Sequence, residues 1–302
     1  MTATELATLI QAMRDRGRPE EPTVPEMRAR YELLGEKFPA PGDARVEKVS
    51  AGGCPAEIVA APEAAASDRW IVYLHGGGYV IGSCDTHRNL AYALSRAADA
   101  QVLLLDYRLG PEHPFPAAVE DAVGAYRWLI GRGARAERTV IAGDSAGGGL
   151  TVSALVVLQD DGDAMPAGGV CISPWTDMEG TGATMQSKAE VDPVIWPPVI
   201  AWFADQYLAG TDPKMPLASP LHADLKGLPP LLVQVGTAEC LLDDAVRLAD
   251  KARAAGVEVV LEPWDDMVHV WHMFAPILSE GRDAIEPVSY THLRAHETDS
   301  YL

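Results

Sequence analysis

A serine framed by glycines, Gly143-Asp144-Ser145-Ala146-Gly147, lies between the β-branched run Thr139-Val140-Ile141 and an apolar, helix-like segment over 150–158. A serine hydroxyl attacks a carbonyl carbon only when a neighbour takes its proton. A sharp strand-to-helix turn would hold Ser145 out at the end of a sheet, with a helix N-terminus behind it to favour negative charge. A side chain at either flanking position would collide with the adjoining strand or helix, which accounts for Gly143 and Gly147. An ordinary glycine-rich turn could carry the same five residues, so the partners of Ser145 decide.

Hydrolases with such an elbow supply the acid and then the histidine after the serine. Between Ser145 and residue 288 the histidines are His222, His269 and His272. His269 follows the last expected strand, in a loop that can return over the sheet, and is the expected base. His222 sits in proline-flanked sequence, and His272 comes three residues after His269. The acid should follow the strand expected over 231–235, which places Glu239 in the loop and Asp243 and Asp244 one turn later on a helix. Glu239 is the expected acid, because a glutamate can hold an imidazole tautomer as well as an aspartate can. Asp243 and Asp244 read as favourable charge at a helix start.

His75-Gly76-Gly77-Gly78 follows the apolar run over 70–74 and supplies amides unobstructed by side chains. His-Gly-Gly-Gly loops of this type form oxyanion holes together with the N–H of the residue after the nucleophile. The expected donors are Gly77, Gly78 and Ala146. His75 reads as a hydrogen-bonding group that fixes the loop, and Asp144 as a strut pointing away from Ser145. The glycines fit neither G-x-G-x-x-G nor G-x-x-x-x-G-K-[ST]. A zinc site built from His269, His272 and Asp265 or Asp266 lacks a convincing third ligand. The expected chemistry therefore needs no metal and no cofactor.

The elements around these residues alternate. Strands are expected over 46–49, 57–60, 70–74, 101–105, 139–142, 169–172, 231–235 and 257–261. Helices are expected over 3–16, 25–37, 85–98, 116–130, 150–158 and 241–255. Such alternation implies an α/β fold with a mainly parallel sheet between helices. The stretch over 174–230 lacks strand signals but carries Trp175, Trp196, Trp202, Phe203 and Tyr207. It reads as a helical insertion above the carboxyl ends of the strands, and these five aromatics are the candidate substrate-binding residues.

The chain has 302 residues, 48% of them hydrophobic, and a formal charge of −19. One large domain is expected, and the charge argues against nucleic-acid partners and anionic membrane surfaces. Cys54, Cys84, Cys171 and Cys240 are scattered, as in a reducing compartment. With no secretory-type apolar region at the start and no membrane-length apolar run, a cytoplasmic location is expected.

The glycine loop, the serine elbow and Asp106-Tyr107-Arg108-Leu109-Gly110-Pro111-Glu112-His113-Pro114-Phe115-Pro116-Ala117 together resemble the hormone-sensitive-lipase-like (bacterial family IV) esterases of the α/β-hydrolase superfamily. The resemblance covers about residues 45–285. It implies an α/β-hydrolase fold, an eight-stranded mostly parallel sheet flanked by helices with a helical cap. The catalytic domain would comprise 45–174 and 226–287, and the cap 1–44 and 175–225. The implied activity is hydrolysis of small carboxylic esters, with short-chain esters favoured by the aromatic insertion, and a homodimer is implied as well. The family usually has Asp where Glu239 stands and Ala where Gly110 stands. The alternatives are an amide, carbamate or lactone hydrolase on the same triad, or a non-catalytic binder such as the plant gibberellin receptors, which lack the catalytic histidine.

The stretch over 288–298 resembles one reading frame of a common transposase sequencing adapter, which implies a gene cut near Pro287 and a metagenomic source. Residues 288–302, with His292 and His296, are therefore expected to be a non-native tail. The sheet beside them is expected to show an exposed apolar patch.

Overall fold

The computed structural model describes residues 3–19 and 22–297. Its strands are β1 (Arg45–Ala51), β2 (Cys54–Ala60), β3 (Trp70–Leu74), β4 (Gln101–Leu105), β5 (Thr139–Asp144), β6 (Gly168–Ile172), β7 (Leu231–Gly236) and β8 (Val259–Trp264). They form one sheet in the order β1-β2-β4-β3-β5-β6-β7-β8. Only the pairs β1–β2 and β2–β4 are antiparallel; from β4 to β8 every pair is parallel. The carboxyl ends of β5, β7 and β8, from which the expected triad hangs, therefore lie on one edge.

The helices are α1 (Ala3–Asp15), α2 (Val24–Lys37), α3 (Cys84–Ala98), α4 (Ala117–Gly131), α5 (Ala146–Asp161), α6 (Thr184–Ser187), α7 (Pro197–Leu208), α8 (Leu242–Ala254) and α9 (Ser279–Glu297). The two-residue period of β3 divides the core. Val72 and Leu74 face the layer that contains α4, α5 and α8, whereas Ile71 and Tyr73 face α3 and α9. Each such aliphatic side chain contributes about 1.5–3 kcal/mol by leaving water. Helix α5 is apolar on nearly every side and buried along most of its length, so the helix carrying the nucleophile is held from all directions.

The last strand begins later than its sequence suggests. Val257 still donates its N–H to Ala252 O at 3.0 Å as the end of α8 unwinds, after Gly256 at φ +85°. Pairing with β7 then starts at Leu231↔Val259 and runs to Gly236↔Trp264.

The inserted cap contains α6 and α7. At the N-terminal side, Leu6, Leu9 and Leu34 join the core beside α3 and α9. Arg28 donates to Val80 O and Gly110 O and pairs with Glu112. Arg18 donates to Ala189 O and Asp192 O of the insertion, both at 2.7 Å. A Cβ on Gly110 would stand 2.8 Å from the carbonyl oxygen of Gln206 in α7, so a glycine lets this turn approach the helix closely.

Helix α9 runs through Pro287 without a break, and Ala284, Ile285 and Val288 are buried. The sheet face expected to lie bare is thus covered at these positions. Residues 298–302 fall outside the described residues. The four cysteines are free and buried. No helix among the described residues is long and apolar enough to cross a membrane.

Candidate active site

Ser145 stands between β5 and α5 at φ 53°, ψ −119°, a backbone region that L-residues rarely enter. The turn is held by Ser145 N–H donating to Ile172 O at 2.8 Å, and by Trp175 N–H and Gly148 N–H donating to Ser145 O at 2.9 and 3.0 Å. A Cβ on Gly147 would overlap the carbonyl oxygen of Leu74, and one on Gly143 would overlap that of Gly147. The steric reason for both glycines is therefore visible at the elbow.

The loop after β8 returns over the sheet, with Val270 at φ 51° closing it. It carries His269 to the elbow, with Nε2 3.0 Å from Ser145 Oγ and Nδ1 2.8 Å from Glu239 Oε2. Glu239 lies in the turn after β7 and accepts the Gly236 N–H at 3.2 Å through Oε1. Three groups from three strand ends thus form one hydrogen-bonded chain, in which the Ser145 proton passes to His269 and Glu239 orients the imidazole.

Electrostatics prepare the pair. Burial pulls the His269 imidazolium toward deprotonation, but Glu239, with further help from Asp192 and Asp144, outweighs it and raises its pKa above the ordinary value. Burial raises the pKa of the Glu239 carboxyl, while His269 acts in the opposite direction. An imidazolium formed during attack would find a buried carboxylate directly behind it.

The α/β-hydrolase fold family model matches residues 71–273. An acetyl-hydrolase from Streptomyces hygroscopicus is 50% identical over 84% of this chain and 83% of its own length. The crystal structure of an esterase from the bacterial hormone-sensitive lipase family superposes with TM-score 0.94 at 49% identity, spanning 98% of this chain and 99% of its own. The chain belongs to the α/β-hydrolase family, as an esterase of the bacterial hormone-sensitive-lipase type. The esterase EstE5, in crystals soaked with p-nitrophenyl butyrate, superposes with TM-score 0.93 at 48% identity over 97% of this chain and 99% of its own.

In this hydrolase the rival acids have other partners. Asp243 accepts the Thr184 N–H at 3.1 Å. Asp244 accepts the N–H groups of Thr176 and Asp177 at 2.8 and 3.0 Å, and burial pushes its carboxyl up to about 7. Both tie α8 to the insertion, so helix-start charge is not their whole role. His272 faces Gln234 at 2.9 Å, and His222 is exposed on a short turn of the insertion. His75 bonds Gly76 O at 2.7 Å and stacks on Tyr107. Asp144 accepts from Tyr73 Oη and Gly76 N–H.

A cavity of about 200 Å³ opens onto Ser145 and His269. Of the five aromatics singled out in the sequence, Trp175, Trp196 and Phe203 line it. Trp202 and Tyr207 do not. Trp202 packs edge-on against Phe203, and Tyr207 turns the other way to stack on Tyr79 with ring centroids 3.9 Å apart. Gly77 and Gly78 lie at the cavity's inner wall. Met13, Met27, Tyr31 and Leu34 of the first two helices, with Met273 and Phe274 after the base, were not foreseen as wall residues. The helical periodicity of 3–16 and 25–37 shows that an apolar face exists, but not what lies opposite it.

Proposed function

We propose that this enzyme is a carboxylesterase that cleaves small-molecule esters of short acyl chains. The observation that carries this reading is the narrow cavity at Ser145, about 200 Å³ and walled by Trp175, Trp196 and Phe203. Pockets for drug-sized ligands measure roughly 300–1,000 Å³, so a short acyl or alcohol group suits this smaller space better than a long chain. The relatives support it: one is an acetyl-hydrolase, and crystals of another were soaked with a butyrate ester.

His269 takes the Ser145 proton as Oγ attacks the ester carbonyl. The N–H groups of Gly77, Gly78 and Ala146 receive the oxyanion, the alcohol leaves with the proton from His269, and water repeats the cycle on the acyl-enzyme. We assign 1–44 and 175–225 to one cap and 45–174 with 226–287 to the catalytic body, and we place 288–302 outside the catalytic machinery. The charge of −19 supports a protein without nucleic-acid partners. The four buried free thiols support the cytoplasm. A homodimer follows from the family resemblance.

The test is a nitrophenyl ester series from acetate to hexadecanoate on wild type and Ser145→Ala. The expected result is a maximum at acetate or butanoate that the substitution abolishes. Rates that climb toward hexadecanoate would refute the short-chain reading. Failure of wild type to react with a fluorophosphonate would refute the catalytic serine itself.

A further inference from the structure

Behind the catalytic acid lies a second buried carboxylate to which the hydrolytic cycle gives no role. Asp192, in the insertion between α6 and α7, is fully buried. Its Oδ2 accepts the N–H of Cys240 at 2.8 Å, the residue that follows Glu239. Its Oδ1 accepts the N–H groups of Val194 and Ile195 at 2.8 and 2.9 Å. Val194 and Ile195 are wall residues of the cavity. Cys240 Sγ returns a contact to Ile195 O at 3.3 Å. The outer side of the same loop is gripped by Arg18, which donates to Asp192 O and Ala189 O and stacks over Trp196.

We infer that Asp192 is a positioning residue that couples the wall of the acyl pocket to the turn bearing the catalytic acid. One carboxylate receives three backbone donors, two from the wall and one from the acid turn. Neither side can move without straining or breaking a charge-assisted hydrogen bond in a dry interior. A substrate that seats the wall correctly therefore seats Glu239 behind His269. A misfit that pushes the wall outward drags the acid turn with it.

The same carboxylate contributes negative potential at His269, alongside Glu239 and Asp144, and it acts on Glu239 as a like charge. Burial raises the Asp192 carboxyl above its ordinary value, with His269 and the three backbone donors opposing it, and the titratable groups that face it on the body side are Glu239, His269 and the Cys240 thiol. On the cap side, the Arg18 guanidinium meets its backbone carbonyl.

The inference rests on the pocket assigned under the proposed function, and its test separates the two. In Asp192→Asn the shape is kept, but the charge is lost and an amide N–H₂ is set against backbone donors. The expected result is a fall in kcat of about 10- to 100-fold, the scale for small misplacements of catalytic groups. The acid limb of the kcat/KM profile should move to lower pH, because the imidazolium loses a stabilising charge. The preference among acetate, butanoate and hexanoate esters should broaden. The acid limb reports the lost charge alone, whereas coupling requires kcat and the chain-length preference to change together, so a folded Asp192→Asn in which either stays at its wild-type value overturns the inference.

Arg18→Met keeps the test open if Asp192→Asn does not fold, because it loosens the loop from the solvent side with Asp192 in place. Coupling predicts a lower kcat for every ester as well as a changed chain-length profile. A change confined to KM would show that wall and acid turn move independently, and would overturn it. The wild-type chain-length series separately tests whether the wall belongs to an acyl pocket.

Discussion

Oδ1 of Asp144, the residue before the nucleophile, accepts the N–H of Gly76 at 3.0 Å. The serine elbow and the glycine loop are therefore joined directly behind the reacting atoms. The same oxygen takes the Tyr73 hydroxyl at 2.8 Å and lies 3.4 Å from His87 Nε2. Burial pushes the Asp144 carboxyl up, but His87 and Tyr73 outweigh it and hold it below its ordinary value. Asp144→Ala leaves two buried donors without their acceptor, at about 1–3 kcal/mol each. It also lets the glycine loop drift, with an expected loss in kcat of about 10- to 100-fold. Denaturant unfolding and butanoate ester turnover on the same preparation check both, and Asp144→Asn should fall between Ala and wild type.

Glu239→Gln should be the most damaging change among the acidic candidates. An amide in place of the carboxylate presents the wrong partner to one imidazole nitrogen, and comparable changes lower kcat by about 10⁴. Asp243→Asn should stay within about tenfold of wild type, because Asp243 contacts Thr184 and not the imidazole. Steady-state kinetics on the two variants decide the matter, and the reverse order would move the acid to Asp243.

These comparisons show where reading the chain succeeds. Ser145 and His269 are legible because each needs a particular residue type at a strand end, and the alternation of elements places the strand ends; the glycine loop is legible as a turn free of side chains, and Gly77 and Gly78 lie at the cavity wall. Glu239 could be preferred over Asp243 because a loop position and a helix position differ even in one dimension. Tyr207 and Phe203 could not be separated: they lie four residues apart on α7, a little over one turn, and only the partner surfaces of Tyr79 and Gly78 assign them to opposite tasks. Asp192 carried no sequence signal, since its three donors are backbone groups and any residue supplies those.

The activity profile should report the charge around His269. Catalysis requires the neutral imidazole, and Glu239 and Asp192 favour the protonated one. As pH falls, kcat/KM should therefore be lost with a midpoint above the ordinary imidazole value of about 6.5. A pH series from 5 to 9 with butanoate ester, about one point per half unit, locates it. A midpoint well below the ordinary value would mean that burial dominates the two carboxylates.

Stability should carry a separate pH signature from Asp244. Burial raises this carboxyl to about 7, with Asp177 adding repulsion and Arg247 opposing it. The ordinary unfolded value is about 3.9, so the folded state prefers the protonated acid. That contribution is complete below about pH 4 and is lost as pH rises to about 7, after which it is constant. Asp244→Asn should flatten this part of the stability curve while its carbonyl still accepts from Thr176 and Asp177. Urea midpoints at pH 4, 5.5 and 7 would show it, and an unchanged difference between variant and wild type across that window would count against the assignment.

Acyl-chain length should be set at Phe203, whose ring packs where a Cβ on Gly78 would stand. This places an aromatic wall directly beside the proposed oxyanion donors, so an acyl chain has to turn or stop there. Phe203→Leu removes ring volume at the wall and keeps an apolar surface, at a stability cost of about 1 kcal/mol. The preferred ester should lengthen from acetate or butanoate toward hexanoate or octanoate, with the gain mostly in KM because the triad is untouched. Tyr207→Phe, one turn away and stacked on Tyr79, should leave the chain-length profile where it was. Should both substitutions shift the profile equally, the effect would lie in the packing of α7 as a whole and not in a wall formed by one ring.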